Sequence, residues 1–208
     1  MLDIEHQGAN PEGPHPLCPG ASLIYPELFI LRHGQTVWNA EGRMQGWLNS
    51  PLTPQGRKDA ARQRDILQAH DLTGFDAFSS PLGRALETAA IAVTPFMDMV
   101  RTDDRLREIG VGDWQGHLRD TLPCRDTADW VFRQYEDAPN GEGFDSLRLR
   151  VTAFLGQLPG PAVLVTHGIT SRMIRSLVVG ESAFQGSTPN GGQGMVWHVK
   201  DGAQHLLR

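Results

Sequence analysis

Arg32-His33-Gly34 sets a guanidinium and an imidazole side by side, directly after the apolar run Leu28–Leu31. The adjoining cation makes His33 a poor metal ligand. It suits a phosphate instead, because arginine offers a planar fork of donors to phosphate oxygens. A second histidine, His167, has the same surroundings: it follows Ala162-Val163-Leu164-Val165-Thr166 and precedes Gly168. Arg84 comes just after Ser80-Pro81 in a segment with a helical pattern. A cation in the first turn opposes the helix macrodipole, a cost that an anion between them reduces. Glu108 stands between apolar residues in the glycine-punctuated stretch Leu106–Gly116, where it could donate a proton, although Asp103, Asp104 and Asp113 lie close by.

These residues need a scaffold that brings them to one edge. Leu28–Leu31 reads as a first strand, and Thr53-Pro54 as an N-cap with proline at the first helical position, opening a helix to about Ala69. Phe75–Ser79 reads as a strand. Ser80-Pro81 repeats the cap-and-proline signal before a helix over Leu82–Val93. Met99–Thr102 is a further short strand, and Ala128–Tyr135 and Asp145–Leu158 are helices, the second starting at an Asp cap. Pro161–Thr166 lacks alternation, as expected of a strand covered on both faces. Ile169–Val179 is the helix after it. Met195–Val199 and His205–Leu207 flank Lys200-Asp201-Gly202-Ala203, and Asp-Gly is a hairpin signal. Strands interleaved with helices predict an α/β fold. The expected form is a three-layer αβα sandwich whose mostly parallel central sheet carries helices on both faces and ends in an antiparallel hairpin. In such sheets ligands bind beyond the carboxyl ends of the strands.

With 208 residues the chain can build one sizeable domain, expected over residues 23–208. Residues 1–22 are rich in Pro, Gly and polar residues. They read as an irregular arm and not as a secretory signal. A hydrophobic content of 39% with 21% charged residues fits an ordinary globular protein. A net charge of −5 argues against a nucleic-acid surface, and no apolar stretch is long enough to span a bilayer. Cys18 and Cys124 read as free thiols in a reducing cytoplasm rather than a disulfide framework.

Taken together, the chain from Leu28 onward resembles the histidine phosphatase superfamily, which includes the cofactor-dependent phosphoglycerate mutases. The resemblance rests on ordered blocks: Arg32-His33-Gly34 with Asn39, Gln45-Gly46-Trp47 and Pro51-Leu52-Thr53 with Gly56, then Arg84, then Glu108 with Gly112, Trp114 and Gly116, then Thr166-His167-Gly168. It implies metal-independent chemistry through a phosphohistidine, with no cofactor. His33 would be the nucleophile. Arg32, Arg84 and His167 would bind the phosphate oxygens, with Asn39, Gln45, Gly46 and Gly168 completing the substrate site. Glu108 would act first as general acid and then as the base that activates water. It must hold a proton for the first step, which bound phosphate would favour.

Asn49 stands where many members of that family have Asp, Gln115 where many have Glu, and Gly143 where a Ser is usual after Glu142; Arg150 keeps its spacing from Glu142. The mutases add a basic segment after the general acid. Here residues 114–137 hold Arg119, Arg125 and Arg133 diluted by Asp120, Asp126, Asp129, Glu136 and Asp137. That favours a phosphomonoester hydrolase releasing inorganic phosphate. A mutase-type phosphoryl transfer, a non-catalytic phosphate-binding module and a metal-dependent hydrolase are the alternatives. Specificity is expected from Trp38, Trp47, residues 115–143 and the loop 186–194. The apolar C-terminal edge could pair with a second copy to form a homodimer.

Overall fold

The structure is a computed structural model that describes residues 25–123, 130–180 and 192–208. Six strands form one sheet: β1 (Leu28–Arg32), β2 (Asp76–Ser79), β3 (Arg101–Thr102), β4 (Ala162–Thr166), β5 (Val196–Lys200) and β6 (Ala203–Leu207). Their order is β3-β2-β4-β1-β5-β6. The first four strands in that order are parallel, while β5 and β6 run antiparallel. The helices are α1 (Val37–Ala40), α2 (Pro54–Gln68), α3 (Gly83–Ala92), α4 (Trp130–Arg133), α5 (Gly143–Leu155) and α6 (Gly168–Val179).

Every residue of β4 is buried, so both faces of the central strand are covered. The period-two alternation of strands divides the core in two. Leu28, Ile30, Ala162, Leu164, Trp197 and Val199 face one way and pack with residues of α5 and α6. Phe29, Leu31, Val163, Val165 and Val196 face the other way and pack with α2 and α3. This is the expected three-layer arrangement. In the hairpin, Asp201 and Gly202 take φ of 51° and 73°. Two consecutive positive φ values are what a two-residue turn needs to match the strand twist.

Two expected caps are not where the local sequence puts them. Ser80 does not cap α3. The helix starts at Gly83 behind Leu82, which makes no side-chain cap bond, and the Arg84 N–H is instead accepted by Oδ1 of Asn49 at 3.0 Å. Likewise α5 starts two residues before Asp145, at Gly143, with φ of 71° in the left-handed region that favours glycine over the family's serine. A Glu136 carboxylate oxygen accepts the Phe144 N–H there. In both cases a remote side chain outcompetes the local one. The short strands also begin later than expected, at Asp76 and Arg101. The arm 1–22, Cys18, Cys124, the start of the expected Ala128–Tyr135 helix and most of the loop 186–194 lie outside the described residues.

Candidate active site

Three parallel strands deliver the site. Arg32 pairs with Thr166 across β1 and β4, so His33 and His167 emerge side by side, with ring centroids 5.1 Å apart. The Ser80 N–H donates to the Val165 carbonyl at 2.9 Å, which brings the end of β2 to the same edge. The turn after β1 is packed tightly on the start of α2. A Cβ on Gly34 would stand 2.1 Å from the Gly56 carbonyl oxygen, so no side chain fits there. The Gly34 N–H is accepted by the Thr88 hydroxyl of α3 at 3.0 Å, and Gln63 of α2 donates to the Arg32 carbonyl at 2.9 Å.

His33 is buried, and its Nδ1 lies 2.8 Å from the Gly34 carbonyl oxygen. A carbonyl only accepts, so Nδ1 carries the proton and Nε2 is left with its lone pair. Burial first, then the Arg84 and Arg32 charges, hold the His33 pKa well below the ordinary histidine range. His167 is lowered in the same way by burial, Arg84, His33, Arg32 and Arg150. Both imidazoles are therefore neutral at neutral pH.

Arg84 is 1% exposed, which rules out a solvated surface arginine. Its Nη1 and Nη2 donate to the carbonyls of Leu48 and Gly46 at 2.7 and 2.8 Å, while its Nε has no partner. Burial lowers its pKa to about 10, so it stays charged at neutral pH. The Nε of Arg32 and Nδ1 of His167 are also buried without partners. Buried polar groups are seldom left unbonded. These three nitrogens belong to the side chains whose charge or ring bears on His33. A Cβ on Gly168 would lie 3.5 Å from the Arg32 guanidinium carbon and 3.7 Å from Oε2 of Glu108, so this glycine leaves room between a cation and an acid.

Glu108 is held at the mouth of α6. Its carboxylate oxygens accept the N–H groups of Ile169 and Thr170 at 3.2 and 3.1 Å, besides its own neighbour Ile109 at 3.0 Å. The Thr166 and Thr170 hydroxyls donate to the carbonyls of Leu106 and Arg107 and pin the preceding loop. Arg150 braces the same loop. It donates to the Glu108 and Arg105 carbonyls and pairs with Glu142, whose Oε2 accepts the Gly110 N–H at 3.0 Å. The spacing of Glu142 and Arg150 thus serves to position Glu108.

Asn39 completes a capping box with Thr36 at the start of α1, and its Oδ1 accepts from the Thr36 N–H at 3.2 Å and from Gln193 at 2.9 Å. Its Oδ1 is thus engaged twice. Gly46 contributes its carbonyl to Arg84, and Gln45 is buried with an unpartnered Oε1. Trp47 forms an exposed wall, fixed by its indole N–H on the Glu108 carbonyl at 2.8 Å and by its backbone N–H on Oε1 of Gln115. Sequence reasoning missed Ser80, Thr88, Gln63, Thr170 and Gln193, since a lone polar residue in a helix or loop carries no local mark of a partner far away in the chain. Among the described residues no group of three or more His, Cys, Asp or Glu converges as a metal site, and no helix is long and apolar enough to cross a membrane.

This site and fold have close parallels. The family model of the histidine phosphatase superfamily, branch 1, matches residues 28–192, and the chain belongs to that superfamily. A probable phosphoglycerate mutase GpmB of Enterobacter sp. strain 638 is 33% identical over 168 residues, covering 76% of this chain and 77% of that protein. Among solved structures, a phosphoglycerate mutase from Thermus thermophilus superposes with a TM-score of 0.68 at 37% identity, over 88% of this chain and 96% of that one. A putative alpha-ribazole-5'-P phosphatase from Escherichia coli K-12 has a TM-score of 0.66 over 88% and 94% of the two chains, but at 23% identity it shows the fold alone.

The neutral histidines have a consequence for stability. Below about pH 6.5 the unfolded chain binds a proton at each imidazole that the folded protein refuses. Stability is thus present above that pH and falls on acidification, by up to about 1.4 kcal/mol per pH unit for each imidazole. The melting temperature is expected to drop from pH 7 to pH 5, and less steeply in His33→Gln. Identical pH dependence in the two proteins would show that His33 is not held neutral by the fold.

Proposed function

We propose that this protein is a metal-independent phosphomonoester hydrolase that works through a phosphohistidine on His33. The observation that carries the reading is the Nδ1 of His33 held by the Gly34 carbonyl, which leaves Nε2 as a neutral nucleophile beside Arg32, Arg84 and His167. In the first step a bond forms from Nε2 to phosphorus while the bond from phosphorus to the leaving oxygen breaks, and Glu108 gives that oxygen its proton. In the second step water attacks phosphorus, the N–P bond breaks, and Glu108 takes a proton from the water. The cationic donors meet the charge that spreads over the equatorial oxygens. Splitting the transfer in two lowers each barrier.

The substrate is a small phosphomonoester, with inorganic phosphate as product. Neither nucleic acid nor a membrane surface is a partner, and the cytoplasm is the expected setting. β6 is a sheet edge through which a homodimer could form.

The names of the similar proteins favour a second reading, phosphoglycerate mutase-type transfer. Against it, the segment after Glu108 has no paired-arginine block, and its Arg119 is already engaged by Gln134 and Tyr135. The deciding assay compares phosphate release from a panel of phosphomonoesters, in chelator, with interconversion of phosphoglycerates. Release outpacing interconversion is expected. Faster interconversion would establish the mutase.

A further inference from the structure

The geometry points to Ser80 as the residue that sets the tautomer of His167, so that this ring presents an N–H and not a bare nitrogen to a phosphate oxygen. The inference rests on the reading of this cleft as a phosphoryl site and adds a positioning residue to it.

Nε2 of His167 lies 2.7 Å from the Ser80 hydroxyl oxygen, and both residues are fully buried. The distance alone leaves the direction of the bond open. The surroundings of Ser80 decide it. Its oxygen already accepts the Leu82 N–H at 3.3 Å, so one lone pair is occupied by a group that can only donate. If Ser80 also accepted from His167, its hydroxyl proton would be left with no acceptor among the described residues, since His167 is the one other group bonded to that oxygen there. Donating to Nε2 satisfies the hydroxyl proton and places the one free N–H on Nδ1, where a bound phosphate oxygen accepts it, so that every donor is satisfied in the phosphate complex.

The proton of His167 then belongs on Nδ1. That atom is buried and has no partner in the protein. The charged and titratable groups that bear on the ring are Arg84 of α3, His33 and Arg32 at the end of β1, and Arg150 of α5. None is an acid, so the ring gains no second proton and has one N–H to offer. A neutral imidazole with the opposite tautomer would meet a phosphate oxygen lone pair to lone pair.

Both histidines thus carry their proton on Nδ1, but the two contacts leave opposite nitrogens for the ligand. A backbone carbonyl puts the His33 proton on Nδ1 and frees Nε2 to attack. A side-chain hydroxyl occupies Nε2 of His167 and leaves Nδ1–H to bind. Which nitrogen the partner occupies, Nδ1 in His33 and Nε2 in His167, distinguishes nucleophile from binder.

The test is the imidazole nitrogen spectrum of the full chain, labelled with ¹⁵N-histidine, with inorganic phosphate bound. The His167 signals are assigned by their loss in His167→Gln. We expect a protonated Nδ1 and an unprotonated Nε2. A protonated Nε2, with or without Nδ1, would overturn the inference. Ser80→Ala should lose the Nδ1–H preference and lower kcat/KM about 10–100-fold, the usual effect of removing such an orienting partner, while Ser80→Thr restores both. An unchanged His167 spectrum in Ser80→Ala would reduce Ser80 to a packing role. Should Ser80→Ala not fold, the wild-type and Ser80→Thr spectra still decide. A protein that shows the expected tautomer but hydrolyses no phosphomonoester would support the assignment while defeating the hydrolase reading.

Discussion

His33→Ala is expected to lose phosphatase activity by at least about 10⁴-fold, because the covalent step has no substitute nucleophile. Methyl and water cannot stand in for Nε2. The proposed site keeps its other donors in this variant, so inorganic phosphate should continue to protect it against heat. Rapid quenching of the wild type with labelled substrate should trap label on the protein in a form stable to base and labile to acid, as a phosphoramidate is. His33→Ala should trap none. The Nδ1 contact with Gly34 gives this prediction its geometry: the backbone carbonyl fixes which nitrogen attacks. Wild-type turnover in His33→Ala would end the phosphohistidine reading, and a label that survives acid and not base would move the covalent bond to a carboxylate.

Arg84→Ala should be the next most damaging change, for two separable reasons. Removing a preorganised donor to the transferring phosphoryl group costs about 10²–10³-fold in turnover. It also leaves the carbonyls of Gly46 and Leu48 without their donor. The Gly46 bond is buried, and an orphan there costs about 1–3 kcal/mol, so the melting temperature should fall as well. Arg84 is the first charge, after burial itself, that depresses His33. Its removal should therefore raise the His33 pKa and move the acid limb of the activity profile toward neutral pH. Arg84→Lys retains the charge, but its donors radiate from one nitrogen and cannot reproduce the planar fork that spans the Leu48 and Gly46 carbonyls while offering Nε as a further donor. It should keep the acid limb near its wild-type place while losing turnover. If both variants show the wild-type acid limb, the arginine does not act on His33.

Much of this site is legible in the chain because its chemistry sits at strand ends. An apolar run that stops at Arg32-His33-Gly34, and another that stops at Thr166-His167-Gly168, can be read from a handful of neighbouring residues. Parallel pairing of β1 with β4 then brings the two histidines together by register. The same holds for the hairpin at Asp201-Gly202, whose turn chemistry is local. The helix starts are where local reading fails. Ser80 and Asp145 have the right types and places for helix caps, yet Asn49 and Glu136 satisfy those helix starts. Propensity ranks a residue against its neighbours only; it has no access to a competing acceptor contributed by a distant loop.

The order of blocks and the periodicity of the strands and helices, by themselves, determined the layered α/β architecture and pointed to the group of residues that the fold gathers at one sheet edge. Those properties follow from short-range sterics and from hydrophobic patterning, both written within a few residues. Tertiary structure alone decided what each group does. It turned Arg84 inward onto two carbonyls, braced Glu108 with Arg150 and the start of α6, and set Ser80 against His167 across 87 positions of chain. Hydrogen-bond direction and the burial that keeps an imidazole neutral depend on which atoms meet once the chain is packed, and no local stretch of sequence contains that information.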